Sequence, residues 1–395
     1  CVGIGRFAVG ASDARGLVLQ NNVARANNET GFSVANAQKI NVQNPPAGCP
    51  SAFGACIIDN IANEHSRDGF LLTTGGDYHV LSNTAFNNGI SGIEVNNRNN
   101  LRPLTSVVNN NLTSNNGGVL FPFSGTGILI TEFAHATELS GNQANNNRPG
   151  GIAVFEDSTA DEVAENQIRN SKQNGLIVQK RSSVDIISGN QVVNSGLAGI
   201  FVENEAEVGT IANNIVDGNG TCADCTAGKG GIAILGSSSV GSIQDSSFDR
   251  NSLGMQIAGE SMAGSISNTT FDNNSAGGIL LRTGSSMPDL RNSSARNNRG
   301  DISVAISDST AHLQQAEVSA VDGAGVTLFE GSSVVIENST VSHSALAGVS
   351  VYDGSVLSIE NSEILENGDD GVIAGGEGTD VTVTDSKVNN NAGYG

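Results

Sequence analysis

The chain has 395 residues, 50 of them glycine and 47 asparagine, with no tryptophan and 15% charged side chains. Its 19 basic and 40 acidic residues leave a net charge of −21, which argues against nucleic acid, anionic membranes and polyanionic substrates, because these recruit basic patches. No apolar run of about twenty residues offers a membrane span, yet 37% of the chain is apolar and recurs at fixed spacing, which excludes disorder.

Repeat-like sequence begins close to Cys1. Gly31, Gly69 and Gly92 each open a short apolar stretch, at uneven intervals. The signal becomes regular at Gly127-Ile128-Leu129-Ile130, Gly151-Ile152-Ala153-Val154, Gly175-Leu176-Ile177-Val178 and Gly199-Ile200-Phe201-Val202. It resumes at Gly231, Gly254, Gly278, Gly325, Gly348 and Gly371, with Gly300-Asp301-Ile302 as a degenerate step. A second column holds Val184 and Ile187, Val208 and Ile211, Val240 and Ile243, Ala263 and Ile266. A third holds Ile168, Val192, Ile215, Phe248, Phe271, Val341, Ile364 and Val388. Three short strands per turn, with no helical spacing, predict an all-β solenoid: a single-stranded right-handed parallel β-helix of about 16 coils of roughly 22–24 residues. Asparagines recur before the third strand (Asn166, Asn190, Asn214, Asn268, Asn292, Asn338, Asn361) and after it (Asn170, Asn194, Asn251, Asn274, Asn298, Asn367, Asn391), as turn residues and stacked amides. The anchoring glycines are expected to relieve a tight corner.

Residues 1–395 read as one continuous β-helix. Both Cys1 and Gly393-Tyr394-Gly395 lie within repeat-like sequence and no cap is evident, so the chain is expected to be a segment of a longer one. Insertions interrupt the period near 41–60, 97–122 and 216–228, where a solenoid places surface loops. The first carries Cys49 and Cys56, the third Cys222 and Cys225. The two pairs lie too many coils apart to share a zinc ion, so two local disulfides are expected, implying an oxidising compartment: extracellular, cell-surface or periplasmic.

This pattern resembles the right-handed parallel β-helix repeats of the pectate-lyase-like superfamily, over nearly the whole chain. The resemblance implies the fold strongly and a function weakly, because members include polysaccharide lyases, epimerases, glycosidases, tailspikes and adhesins. It also implies that catalysis, where present, sits outside one sheet beside long loops. Outward positions of the glycine-anchored strands include Phe155, Ile177, Phe201, Leu235, Leu280, Phe329 and Tyr352, an expected apolar stripe for a protein partner or self-assembly. The candidate catalytic cluster is one turn further round. There Lys180 or Arg181 would take a proton or neutralise a uronate, while Asp157, Glu203 and Glu205 would hold Ca²⁺. The bland reading of that cluster is a surface ionic ladder. Asp369-Asp370 lacks the companion motifs of polygalacturonases and reads as a turn, and the five histidines show no metal spacing. The expectation is therefore a non-enzymatic extracellular scaffold without a catalytic site, metal or cofactor. The alternatives are a carbohydrate-active enzyme, and a module binding glycan or Ca²⁺.

Overall fold

The computed structural model describes residues 7–13, 15–38, 40–41, 49–50, 52–98, 103–117, 125–221 and 228–394. Every regular element among them is a strand, and the coils pair in parallel. The chain divides into two compact units, Cys1–Gly196 and Leu197–Gly395. Each is a β-solenoid, and together they make about 15 turns where sixteen were expected.

In the first unit, the glycine-anchored strands Ile93–Asn96, Ile128–Thr131, Ile152–Phe155 and Leu176–Gln179 stack in register, with Ile128 opposite Ile152 and Ile152 opposite Leu176. Their alternate residues Ile128, Ile130, Ile152, Val154, Leu176 and Val178 point inward and are fully buried. The second unit repeats this with Gly230–Leu235, Met255–Ala258, Ile279–Arg282, Ala324–Phe329 and Val349–Tyr352. The expected second-strand residues Val184, Ile187, Val208, Ile211, Val240, Ile243, Ala263 and Ile266 all belong to the core.

The structure corrects several details of register. Val216, not Ile215, faces the core in its coil, while Ile215 is 51% exposed. Ser303, not Gly300, occupies the glycine column, since Gly278 N–H donates to Ser303 O and Ile279 pairs with Val304. Serine fits there because its hydroxyl donates to Ala295 O at 2.8 Å and accepts from Asn298 Nδ2 at 3.0 Å. The glycines themselves serve close packing. Gly151 and Gly199 lack left-handed φ, yet a Cβ would stand 2.3 Å from Ile168 Cγ2 in the first and 2.2 Å from Val216 Cγ1 in the second. The insertions are also narrower than their expected bounds. Ala55–Ile58 is a regular second strand following a small hairpin of Ile40–Asn41 with Ala52–Phe53. Leu104–Asn109 and Leu112–Ser114, inside the expected bounds 97–122, run as ordinary strands.

The asparagines form two kinds of column. One is exposed and takes left-handed φ, as at Asn268, Asn292, Asn338 and Asn361 before the third strand. The other, one residue later, is buried. In the first unit it runs Asn60, Asn83, Asn111, Asn142, Asn166 and Asn190, each Nδ2 donating to the next Oδ1 at 2.9–3.1 Å. Each Oδ1 also accepts the backbone N–H of the preceding coil, as from Asn83 at 2.9 Å. In the second unit the same column is mostly hydroxyl: Ala316 N–H, Ser339 N–H and Ser362 N–H donate to the next serine Oγ at 3.0–3.1 Å. Satisfying these buried backbone groups lets the corners lie inside the solenoid without water.

Cys49 and Cys56 are joined by a disulfide, Cα atoms 6.1 Å apart, in a small cluster with Phe53 and Ile58. Cys222 and Cys225 lie outside the described residues.

Candidate functional site

After the last three glycine-anchored strands of the first unit the chain turns through two successive left-handed residues. These are Glu132 and Phe133, Glu156 and Asp157, then Lys180 and Arg181, all with φ between 53° and 66°. Side chains other than glycine pay roughly 1–2 kcal/mol each for that conformation, so the corner needs support. It comes from the next residue: Ser158 Oγ accepts Ala134 N–H at 3.2 Å, and Ser182 Oγ accepts Ser158 N–H at 3.3 Å. Coil stacking then sets the outward side chains of successive corners side by side.

Lys180 Nζ lies 2.8 Å from Glu156 Oε1 and 4.3 Å above the Phe155 ring. Arg181 binds Asp157 in fork geometry, Nε to Oδ1 at 2.8 Å and Nη2 to Oδ2 at 2.7 Å. Arg98 Nε stands 3.8 Å from Glu132 Oε2. With the exposed Phe133, these residues line an open cavity of about 450 Å³. The expected Lys180–Arg181–Asp157 cluster is therefore present. Its two cations are each closed on a carboxylate, and such exposed pairs contribute at most about 1 kcal/mol.

Glu203 and Glu205 belong to the second unit, at a corner of the same type, where Asn204 Nδ2 donates to Glu203 Oε2 at 3.3 Å. Among the described residues no group of three His, Cys, Asp or Glu side chains is placed to hold a metal.

The structure adds two acids that sequence reasoning passed over. Asp68, just before Gly69, is completely buried; its Oδ1 accepts Ser91 N–H at 3.0 Å, and Arg67 Nε lies 3.9 Å from its Oδ2. Burial, then the charge of Glu94, pushes its pKa well above the ordinary range. Glu94 is raised as well, chiefly by burial, and its Oε1 accepts from Asn96 Nδ2 at 3.1 Å. A buried and a half-buried carboxyl side by side do not both ionise readily, so this pair retains a proton more firmly than isolated acids. A signal was available: in the first unit's central outward column, Ser33, Leu71, Glu94, Leu129, Ala153 and Ile177, only Glu94 is charged.

The expected apolar stripe divides between the units. In the first, Phe155 is half-buried beneath Lys180 and Ile177 is only 7% exposed. In the second, Phe201 and Leu280 share the central outward column, separated by Ala233 and Gln256. Leu235, Phe329 and Tyr352 belong to the column beside it, where Phe329 and Tyr352 stack at 6.0 Å. All five are half-buried, because flanking outward side chains shield them in a flat sheet face.

Of the histidines, His65 takes a ladder position: its Nδ1 accepts Asn27 N–H at 3.1 Å, while its own N–H donates to Asn88 Oδ1 at 3.2 Å. Burial lowers its pKa.

Residues 47–168, 157–313 and 302–395 match the right-handed β-helix region family, and the chain belongs to that family. No curated protein matches it.

Proposed function

We propose that this right-handed β-helix is a non-enzymatic extracellular or cell-surface scaffold that presents the outer face of its glycine-anchored strands to a protein partner or to another copy of itself. The observation that carries the reading is the pairing of Lys180 and Arg181. A lysine acting as a base must be free to face substrate, whereas Lys180 Nζ is closed on Glu156 Oε1 at 2.8 Å and lies over the Phe155 ring. The half-buried Phe201, Leu235, Leu280, Phe329 and Tyr352 offer a flat, largely apolar surface suited to association. The Cys49–Cys56 disulfide supports an oxidising compartment.

The test is an assay of unsaturated uronate and of new reducing ends across a polysaccharide panel with Ca²⁺. The scaffold reading expects no turnover. Clear turnover that disappears in Lys180→Ala and Arg181→Ala overturns it.

A second reading has its own support. A carboxyl with a raised pKa on the outer face of the sheet is what a general acid acting on a glycosidic bond requires, and Glu94 has that property. Under this reading reducing ends appear and Glu94→Gln removes them, whereas Lys180→Ala leaves them.

A further inference from the structure

In the second unit, Phe201, Ala233, Gln256 and Leu280 follow one another in the central outward column of the glycine-anchored strands. Gly228 folds over the start of that column: an added Cβ there would stand 2.9 Å from the Phe201 ring. Gln256 and Leu280 are left as the floor of a cavity of about 410 Å³. The corners that lead into these strands supply its wall, with Lys229 and Leu253 from successive coils. Arg282, two residues past Leu280 and so on the same face, lines it at the downstream end.

The charge of this cavity runs against that of the chain. The chain carries −21, yet the lining holds two cations, Lys229 and Arg282, and no Asp or Glu among the described residues. At the Lys180 corner, in the first unit, each cation is closed on a carboxylate. Here the Arg282 side chain is exposed. Gln256 is only 5% exposed, and among the described residues its amide has no hydrogen-bond partner. A polar group at that depth is normally bonded, so this amide is a donor and acceptor left for a ligand to complete. Leu253 and Leu280 add half-buried apolar surface beside it.

On the reading that this face receives a protein partner, we infer that the cavity takes an acidic peptide segment of that partner, in which a carboxylate stands next to a large apolar side chain. Arg282 and Lys229 receive the carboxylate, the guanidinium through its fork. Gln256 bonds a peptide group, and Leu253 and Leu280 cover the apolar side chain. Charges in physiological salt are screened over about 8 Å, so the cations within the cavity outweigh acids farther along the surface. An anionic sugar has the charge but sets hydroxyls against the two leucines, which makes it the poorer match.

The experiment is a fluorescence-anisotropy titration of the full chain with a labelled, end-capped peptide carrying Asp between two leucines, beside the same peptide with Asn for Asp. The Asp peptide should bind in the micromolar range and the Asn peptide at least about tenfold more weakly. Binding of the Asp peptide should fall as NaCl rises from about 50 to 500 mM. Arg282→Gln and Gln256→Leu should each weaken it roughly tenfold with the circular dichroism spectrum unchanged. Lys387→Gln, which removes the same charge from a residue paired with Glu363 outside the cavity, should leave it unaltered. The inference is overturned if the Asp peptide does not bind at about millimolar concentration, if the Asn peptide binds as well, or if Arg282→Gln, an exposed substitution, retains full affinity. Tighter binding of oligogalacturonate, lost in Arg282→Gln, overturns it as well. Peptide failure leaves the scaffold reading to its turnover assay, whereas turnover of a polysaccharide defeats that reading even where the peptide binds.

Discussion

Removing a single amide from the buried asparagine column, by Asn111→Ala, should destabilise the first unit far more than its size suggests. Asn111 is 1% exposed and has five side-chain bonds. Its Oδ1 accepts Asn83 N–H at 2.9 Å and Asn83 Nδ2 at 3.1 Å. Its Nδ2 donates to Val80 O and Asn109 O at 2.9 Å each and to Asn142 Oδ1 at 3.0 Å. Alanine leaves the buried Asn83 N–H without this acceptor, which alone costs about 1–3 kcal/mol; the weakened carbonyl bonds bring the sum to about 2–4 kcal/mol. Asn111→Asp should be worse near neutral pH, because it sets a carboxylate oxygen against three acceptors, and should recover on acidification as that carboxyl gains a proton. With no tryptophan in the chain, the assay is urea unfolding followed by far-ultraviolet circular dichroism, compared at constant m-value with the exposed control Asp185→Ala. The ladder argument fails if Asn111→Ala shifts the midpoint no more than the control, or if Asn111→Asp at neutral pH is the milder of the two.

Other substitutions probe different links. His65→Asn should restore a uniform amide column between Asn27 and Asn88. The lowered pKa keeps His65 neutral in the folded chain while the unfolded chain takes a proton near pH 6.5. Stability is therefore lost as pH falls below that value, and the variant should unfold later at pH 5.5 but respond little at pH 8. Asp68 has the opposite sign. Its raised pKa means stability declines as pH rises above the unfolded value of about 3.9. Asp68→Asn, which keeps an acceptor for Ser91 N–H, should stabilise at pH 7 with a gain that vanishes near pH 4; destabilisation at pH 7 would show the carboxylate to be favourable there. Opening the Cys49–Cys56 disulfide by double serine substitution should cost about 2.5 kcal/mol on the entropy of so short a loop, read as a midpoint shift that reductant abolishes in the parent chain.

The fold was legible because its core residues recur in phase: Ile152, Leu176 and Ile200 could be placed inward from the glycine spacing alone. The errors share one cause. Coils differ in length by a residue or more, so neighbouring columns slide past each other in a linear reading. Ile215 was thereby exchanged for Val216, and buried Asn166 was grouped with exposed Asn268. The Lys180–Glu156 and Arg181–Asp157 pairs were visible because both coils have the same period. Glu94 is marked as the one charge in its outward column, but its pairing with Asp68 is not, since neither composition nor spacing reports burial.

The change of buried column from asparagine to serine bears on how a protein of this kind grows. A whole coil duplicated within 128–175 would arrive with its amide already matched above and below, adding length at little cost. The same coil moved among Ser339, Ser362 and Ser386 would meet shorter side chains whose oxygens still accept, as where Asn214 N–H donates to Ser246 Oγ at 3.1 Å. Extension by copying is therefore simplest within stretches of one ladder chemistry. Each junction between chemistries marks a place where coils of different kinds have had to be reconciled.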